Sequence, residues 1–274
     1  SGAGVFYGGQ GALGASSRGV NNFPYNRRVT AQSTPTRPAL QLSDGFPPNF
    51  LGNTTTPPSN SNWVVWQTDF PAPAVYQWNF AVQHELVRDL SLTVAYVGSS
   101  SNYIMEGYNW NGSPLGPVAT ERQRRRISDW NTIDLQSPFG HSSYHGLDVE
   151  LERRYARGLS FTAAYTWGHS IDNVPEQFGP GGGGLQDFRN FDQSRGHSNF
   201  DFRHRLAASA VYELPFGEGR KWMNRGGALD RIFGGWQVSG LWAVQTGHYF
   251  TVTVPNARTR IGATGVGGWW PDRI

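Results

Sequence analysis

The chain has 274 residues, aromatics make up 14% of it, and 35 Gly and 17 Pro interrupt it throughout. That excludes a disordered chain, which is poor in aromatics, and a helical bundle, which cannot carry so many breakers. There is no cysteine, so disulfides, thiolate metal sites and cysteine nucleophiles are excluded together; a net charge of +3, carried mostly by scattered Arg, argues against nucleic acid as a partner.

No stretch reaches the ~18–20 apolar residues of a transmembrane helix. Ser1 opens directly on Gly-rich sequence, so no signal peptide is expected within these residues. A chain that begins without Met and stops after Trp269-Trp270-Pro271 reads as an interior piece of a longer protein, or as a processed product.

Period-2 alternation is the dominant pattern, and it predicts strands. The first lies near 3–8, where Val5 and Tyr7 alternate with Phe6. A long loop is expected over 9–74. Within it, Gly9, Gly11 and Gly14 match a dinucleotide-binding spacing, but the sequence after them carries Gly19, Asn21, Asn22 and Pro24 and is not the helix that a pyrophosphate needs. In 75–86, Tyr76, Trp78, Phe80, Val82 and Leu86 share one face and Gln77, Asn79, Gln83 and Glu85 the other. In 90–98, Leu90, Leu92, Val94 and Tyr96 oppose Ser91, Thr93 and Ala95. Only Val87, Arg88 and Asp89 separate the two runs, so they form a hairpin.

A second long loop is expected over 99–144. Strands 145–155 and 159–168 then form another tight hairpin across Ala156-Arg157-Gly158. Its apolar face holds Leu147, Val149, Leu151, Phe161, Tyr165 and Trp167; its polar face holds Asp148, Glu150 and Glu152. A third loop covers 169–199. Strands near 200–214 and 236–254 follow, joined by a longer connection in which a helical turn is expected around Ala228 to Phe233.

Tight turns fall at one end of this sheet and long loops at the other. Outer-membrane barrels have short periplasmic turns and long extracellular loops, whereas sandwiches mix the two. Aromatics near strand ends, with Leu, Val and Ala between, suit girdles around a lipid-facing band. The expected fold is therefore all-β: an antiparallel up-and-down transmembrane β-barrel segment of about seven strands, incomplete as a closed barrel. Open edges are not tolerated in lipid, so partners must supply further strands.

Several ordered runs carry a family likeness. They are Gly4 to Gly8, Tyr76 to Leu86, Val94 to Ser99, Ser160 to Trp167 with Ser170 to Asn173, Asp201 to Arg205, Tyr212 to Gly217 and Gly235 to Gly240. Together they resemble the TonB-dependent receptor-like barrels with a carboxypeptidase-regulatory-like domain, of the kind found in Acidobacteria-type genomes. The resemblance spans nearly the whole chain. It implies an outer-membrane transporter of about 22 strands with an internal plug. The plug, the TonB-contacting segment and an aromatic-ended closing strand are not among these residues.

Candidate ligand contacts lie in the expected loops. Tyr103, Tyr108, Trp110 and Trp130 would stack on sugars or anchor a partner; the alternative is that they fold the loop on itself. Arg124, Arg125 and Arg126 would meet an anionic surface or a substrate carboxylate, unless they are simply solvated. His169, His197 and His204 flank one loop and are weighed as metal ligands against ordinary loop or girdle histidines, with the latter preferred, so no metal and no cofactor are expected. Asp148, Glu150 and Glu152 would suit glycoside chemistry, but a polar lumen wall paired with Arg203 and Arg205 is the simpler reading. No catalytic constellation emerges, and no enzyme is expected. Two functions remain. One is a receptor barrel for nutrient uptake, with outer-membrane lipid and the remaining strands and plug as partners. The other is a structural subunit pairing edge to edge with copies of itself into an extracellular filament or tube.

Overall fold

The computed structural model describes residues 1–8, 22–26, 33–36, 38, 39, 43, 45, 55–114, 120–174, 189–217, 219–222, 232 and 234–250. Among these residues it forms one nine-stranded sheet. The strands are β1 (Gly2–Tyr7), β2 (Trp63–Trp66), β3 (Ala74–Val87), β4 (Leu90–Asn109), β5 (Ile133–Ala156), β6 (Leu159–Asp172), β7 (Gly196–His197), β8 (His204–Glu213) and β9 (Gln237–Gln245). The main path runs β1-β3-β4-β5-β6-β8-β9, all antiparallel. The seven strands expected from the alternation are this path. β2 adds in parallel to β5, and β7 adds to β6.

The two tight turns are each two residues long. Arg157 and Gly158 join β5 to β6 with φ of 55° and 82°, the left-handed pair that a hairpin of this length needs. Asp89, with φ of 66°, closes the β3–β4 turn. Connection 214–236, at the same end of the sheet, is longer, and Phe216 bridges Trp222 within it.

The register sorts side chains as the alternation requires. Phe80 and Val82 lie beside Tyr96 and Val94, which lie beside Leu147 and Val149, and so on across the sheet to Trp242 and Val244. Large apolar side chains stay exposed on this face: Phe80 is 58% accessible, Trp242 58% and Leu241, on the other face of the terminal strand, 86%. The buried apolar residues described, Ala74, Met105, Ile133 and Val174, all sit toward the loop end. The main apolar surface thus points away from the protein, as lipid contact demands. Toward the loop end this face closes with two matching pairs. Tyr96 Oη lies 2.7 Å from His145 Nδ1 and Tyr165 Oη 2.8 Å from His204 Nδ1, with Trp78 and Trp167 beside them.

The limits of the strands differ from the sequence expectation. β4 continues eleven residues past Gly98, to Asn109, and β5 begins at Ile133 rather than 145. The second loop therefore shrinks from 99–144 to 110–132. The added length pairs Ser99, Ser100 and Ser101 with Tyr144, Ser143 and Ser142. These added residues are largely Ser, Asn, Gly and Tyr, half-buried under the folded loop end, so no apolar alternation marks them. A tilted strand crosses a bilayer in about 9–11 residues, so β4 and β5, of 20 and 24 residues, project well past it. The first loop, 9–74, contains β2. The strand expected from 200 begins at His204, because 198–203 bulges out of the ladder. The strand expected over 236–254 is regular only to Gln245. Its continuation past 250, the glycine motif at 9–14 and nearly all of the helical turn around 228–233 lie outside the described residues.

Candidate functional site

The projecting loop end holds most of the buried polar structure described. Asn111 organises it. Its side chain is fully buried; its amide donates to the carbonyls of Ile127, Trp130 and Asn131 at 2.9, 3.0 and 2.9 Å, and its Oδ1 accepts from Ile127 N–H at 2.8 Å. One side chain thereby ties the chain just after β4 to residues 127–131 just before β5. β2 docks along the extension of β5, and Asn22 fastens it by hydrogen bonds to both backbone groups of Val64.

Most of the residues expected to touch ligand help to build this structure. Trp130 packs on Trp63 with ring centroids 4.9 Å apart. The Arg126 guanidinium lies 4.4 Å over the Trp110 ring. Arg125 pairs with Glu121 at 3.1 Å and donates to Trp130 O at 3.3 Å; Arg124 donates to Thr120 and to Pro114 O. The loop thus brings Trp110, Trp130 and the three arginines into one folded unit. Tyr103 and Tyr108 correct the expectation, since both lie on strand β4 rather than in a loop. Tyr108 packs edge-on against Phe139 and Phe191, and burial pushes its phenol above the ordinary value against the opposing pull of Arg126. Tyr103 is different: it sits at a bulge with φ of 60° and is 47% exposed.

A polar groove of about 680 Å³ lies on the projecting strands, lined by Ser100, Asn102, His141, Ser142, Ser143, Asp192 and Arg195. The sequence reading missed it. Its only signal was the Ser-rich run at 99–101, which resembles a loop when read alone.

The histidines divide. His169 and His197 come together with ring centroids 4.9 Å apart, but His204 joins Tyr165 in the girdle instead. Asp201 takes the third place. It was expected on a strand face and instead sits in the 198–203 bulge, where its Oδ1 accepts from Ser170 N–H at 3.0 Å. Its Oδ2 lies 3.4 Å from His169 Nδ1 and 3.6 Å from His197 Nδ1. Arg203 also turns here, donating to His169 Nδ1 at 2.7 Å. It therefore does not pair with the acidic row, which corrects the expected lumen wall. Arg205 lies opposite Thr166 and Gln245, while Asp148 accepts from the Thr166 hydroxyl at 2.7 Å. Asp148, Glu150 and Glu152 remain a row on the inner face.

One apolar outer face, an acidic inner face and a folded structure at one end describe a barrel wall. Residues 1–274 match the family described as outer membrane beta barrel domain. The chain belongs to this family. Its apolar face meets the lipid of the bacterial outer membrane, and its tight turns are those of an outer-membrane barrel. No curated protein matches the chain. Among solved structures this outer-membrane barrel chain is similar to the outer membrane transporter YddB from Escherichia coli, at 9% identity and a TM-score of 0.41, covering 73% of this chain and 24% of that one. The chain spans about a quarter of that transporter's length.

Proposed function

We propose that the chain forms part of the wall of a TonB-dependent-type receptor that imports a nutrient across the outer membrane. The observation that carries this reading is the polar inner face, where Glu85, Asp148, Glu150 and Glu152 line one side of a sheet whose other side is apolar. Such a face suits a hydrated passage or contact with a plug. The wall is not enzymatic in this reading. Tyr103 is the best placed of the candidate residues to touch solute, and the polar groove beside β4 and β5 offers hydrogen-bonding partners to a hydrophilic one. The test uses the full-length protein in its native membrane. Cells with and without it are compared for uptake of saccharides, peptides and iron chelates, with and without an uncoupler of the inner membrane. Uptake that needs the protein and collapses with the uncoupler is expected; uptake indifferent to both would reject the reading.

A second reading rests on the two edges of the described sheet, β1 and β9, each with a row of backbone groups that this sheet leaves unpaired. Strands of another copy would pair there and give a filament or tube. Electron microscopy of the purified protein decides it. Discrete membrane barrels at every concentration would exclude the polymer.

A further inference from the structure

His169, His197 and Asp201 come from two segments that the fold forces together. His169 lies on β6, and the other two lie on the chain that leaves β6 at His197 and rejoins it at His204. One ligating atom from each residue falls within 4.8 Å of the others. The carboxylate is already oriented, because Ser170 N–H holds Oδ1 and leaves Oδ2 facing both imidazoles. A tetrahedral site with bonds of ~2.0–2.1 Å has ligand–ligand edges of about 3.4 Å. The Asp201 Oδ2 separations from the two Nδ1 atoms, 3.4 and 3.6 Å, meet that requirement. Asp201 is only 2% exposed at its side chain, and a carboxylate so placed needs a cation nearby.

A cation is present in the form of Arg203. Its guanidinium reaches His169 Nδ1 at 2.7 Å and Asp201 Oδ2 at 3.8 Å. Because Arg donates only, His169 Nδ1 presents its lone pair to the cluster. The pocket thus offers an imidazole nitrogen and a carboxylate oxygen to positive charge, with a second imidazole stacked on Tyr249 and tilted against His169. Two nitrogens and one oxygen suit Zn²⁺, Ni²⁺ or Cu²⁺ better than Mg²⁺ or Ca²⁺.

We propose that His169, His197 and Asp201 form a binding site for a divalent transition metal of the zinc class, with water completing the shell, and that Arg203 is the cation the metal displaces. The site pins bulge 198–203 to β6 at the outer rim of the lipid-facing band. It is independent of what the barrel transports.

The test is calorimetric titration of chelator-stripped full-length protein, folded in detergent, with Zn²⁺ and separately with Ni²⁺. One equivalent is expected for this site. His169→Ala, His197→Ala and Asp201→Asn each weaken it by roughly tenfold or more, the scale of lost support around a metal. His204→Ala, from the same region but outside the cluster, leaves it unchanged. Arg203→Gln removes the competing cation and tightens binding, a gain that no folding defect would produce. The proposal is overturned if neither the wild type nor Arg203→Gln binds, if His204→Ala loses as much as His197→Ala, or if Arg203→Gln weakens binding.

Discussion

Asn111 shows how much of a loop one side chain can hold. Its amide satisfies three carbonyls and its oxygen one N–H, all within the turn of chain between β4 and β5. Removing such a hub leaves buried acceptors unmet, at about 1–3 kcal/mol for the poorest. Asn111→Ala is therefore expected to open residues 127–131 to hydrogen exchange while the strands below keep their protection. Asp172 makes a different case at the end of β6. Burial raises its carboxyl above the usual 3.8, against hydrogen bonds from Ser198 and the Val174 backbone that lower it. The folded chain holds this proton more tightly than the unfolded chain. Local stability is then highest below pH 3.8 and falls as pH rises through the raised folded value, with the full penalty above it. Asp172→Asn should remove that slope and stabilise the loop end at neutral pH. Melting or hydrogen exchange across 169–174, followed from pH 7 down to 4 in both proteins, checks the sign.

At the scale of strands, legibility in the sequence tracked the solvent. Tyr76 to Leu86 and Leu90 to Gly98 announce themselves because lipid on one side and water on the other write a period of two. The same two-sided contrast placed the Arg157-Gly158 turn within a residue. Ser99 to Asn109 continues the strand, but two bulges and polar side chains half-buried beneath the loop end leave no alternation to read. The His169–His197–Asp201 cluster was half legible. Two of its histidines were marked by their nearness to one loop, whereas Asp201 was hidden because a bulge breaks the parity on which facing was judged. Regular parity has its own packing demands. On the inner face Gly146 and Gly168 are cross-strand partners, and the Tyr144 ring lies over both. A Cβ on Gly146 would stand 2.9 Å from the phenol Cζ, and one on Gly168 3.1 Å from its Oη. Gly146→Ala should cost about 1–3 kcal/mol by overpacking, and Gly168→Ala less. Urea unfolding of the refolded protein in detergent would show the order, and equal effects would argue that Tyr144 simply swings aside.

For the whole molecule, sidedness follows from the lengths of the connections. β4 and β5 outrun the bilayer only at the end where segments 8–73, 110–132 and 173–195 emerge, while Arg88-Asp89 and Arg157-Gly158 close the other end tightly. Extra strand length is tolerated in water on either side of the bilayer; it is the long connections at the projecting end, against tight turns at the other, that put the first outside and the second in the periplasm, as in other outer-membrane barrels. These 274 residues hold no cysteine, so a thiol placed among them has no neighbour of its own kind in this part of the protein. Ser128 and Arg88 are both exposed, one on the folded loop and one on a tight turn. In intact cells a membrane-impermeant maleimide should label Ser128→Cys and spare Arg88→Cys, and breaking the outer membrane should make both reactive. Labelling of Arg88→Cys alone in intact cells would invert the barrel. It would also move the polar groove and the proposed metal site to the periplasmic side, where a solute arriving from outside would not meet them first.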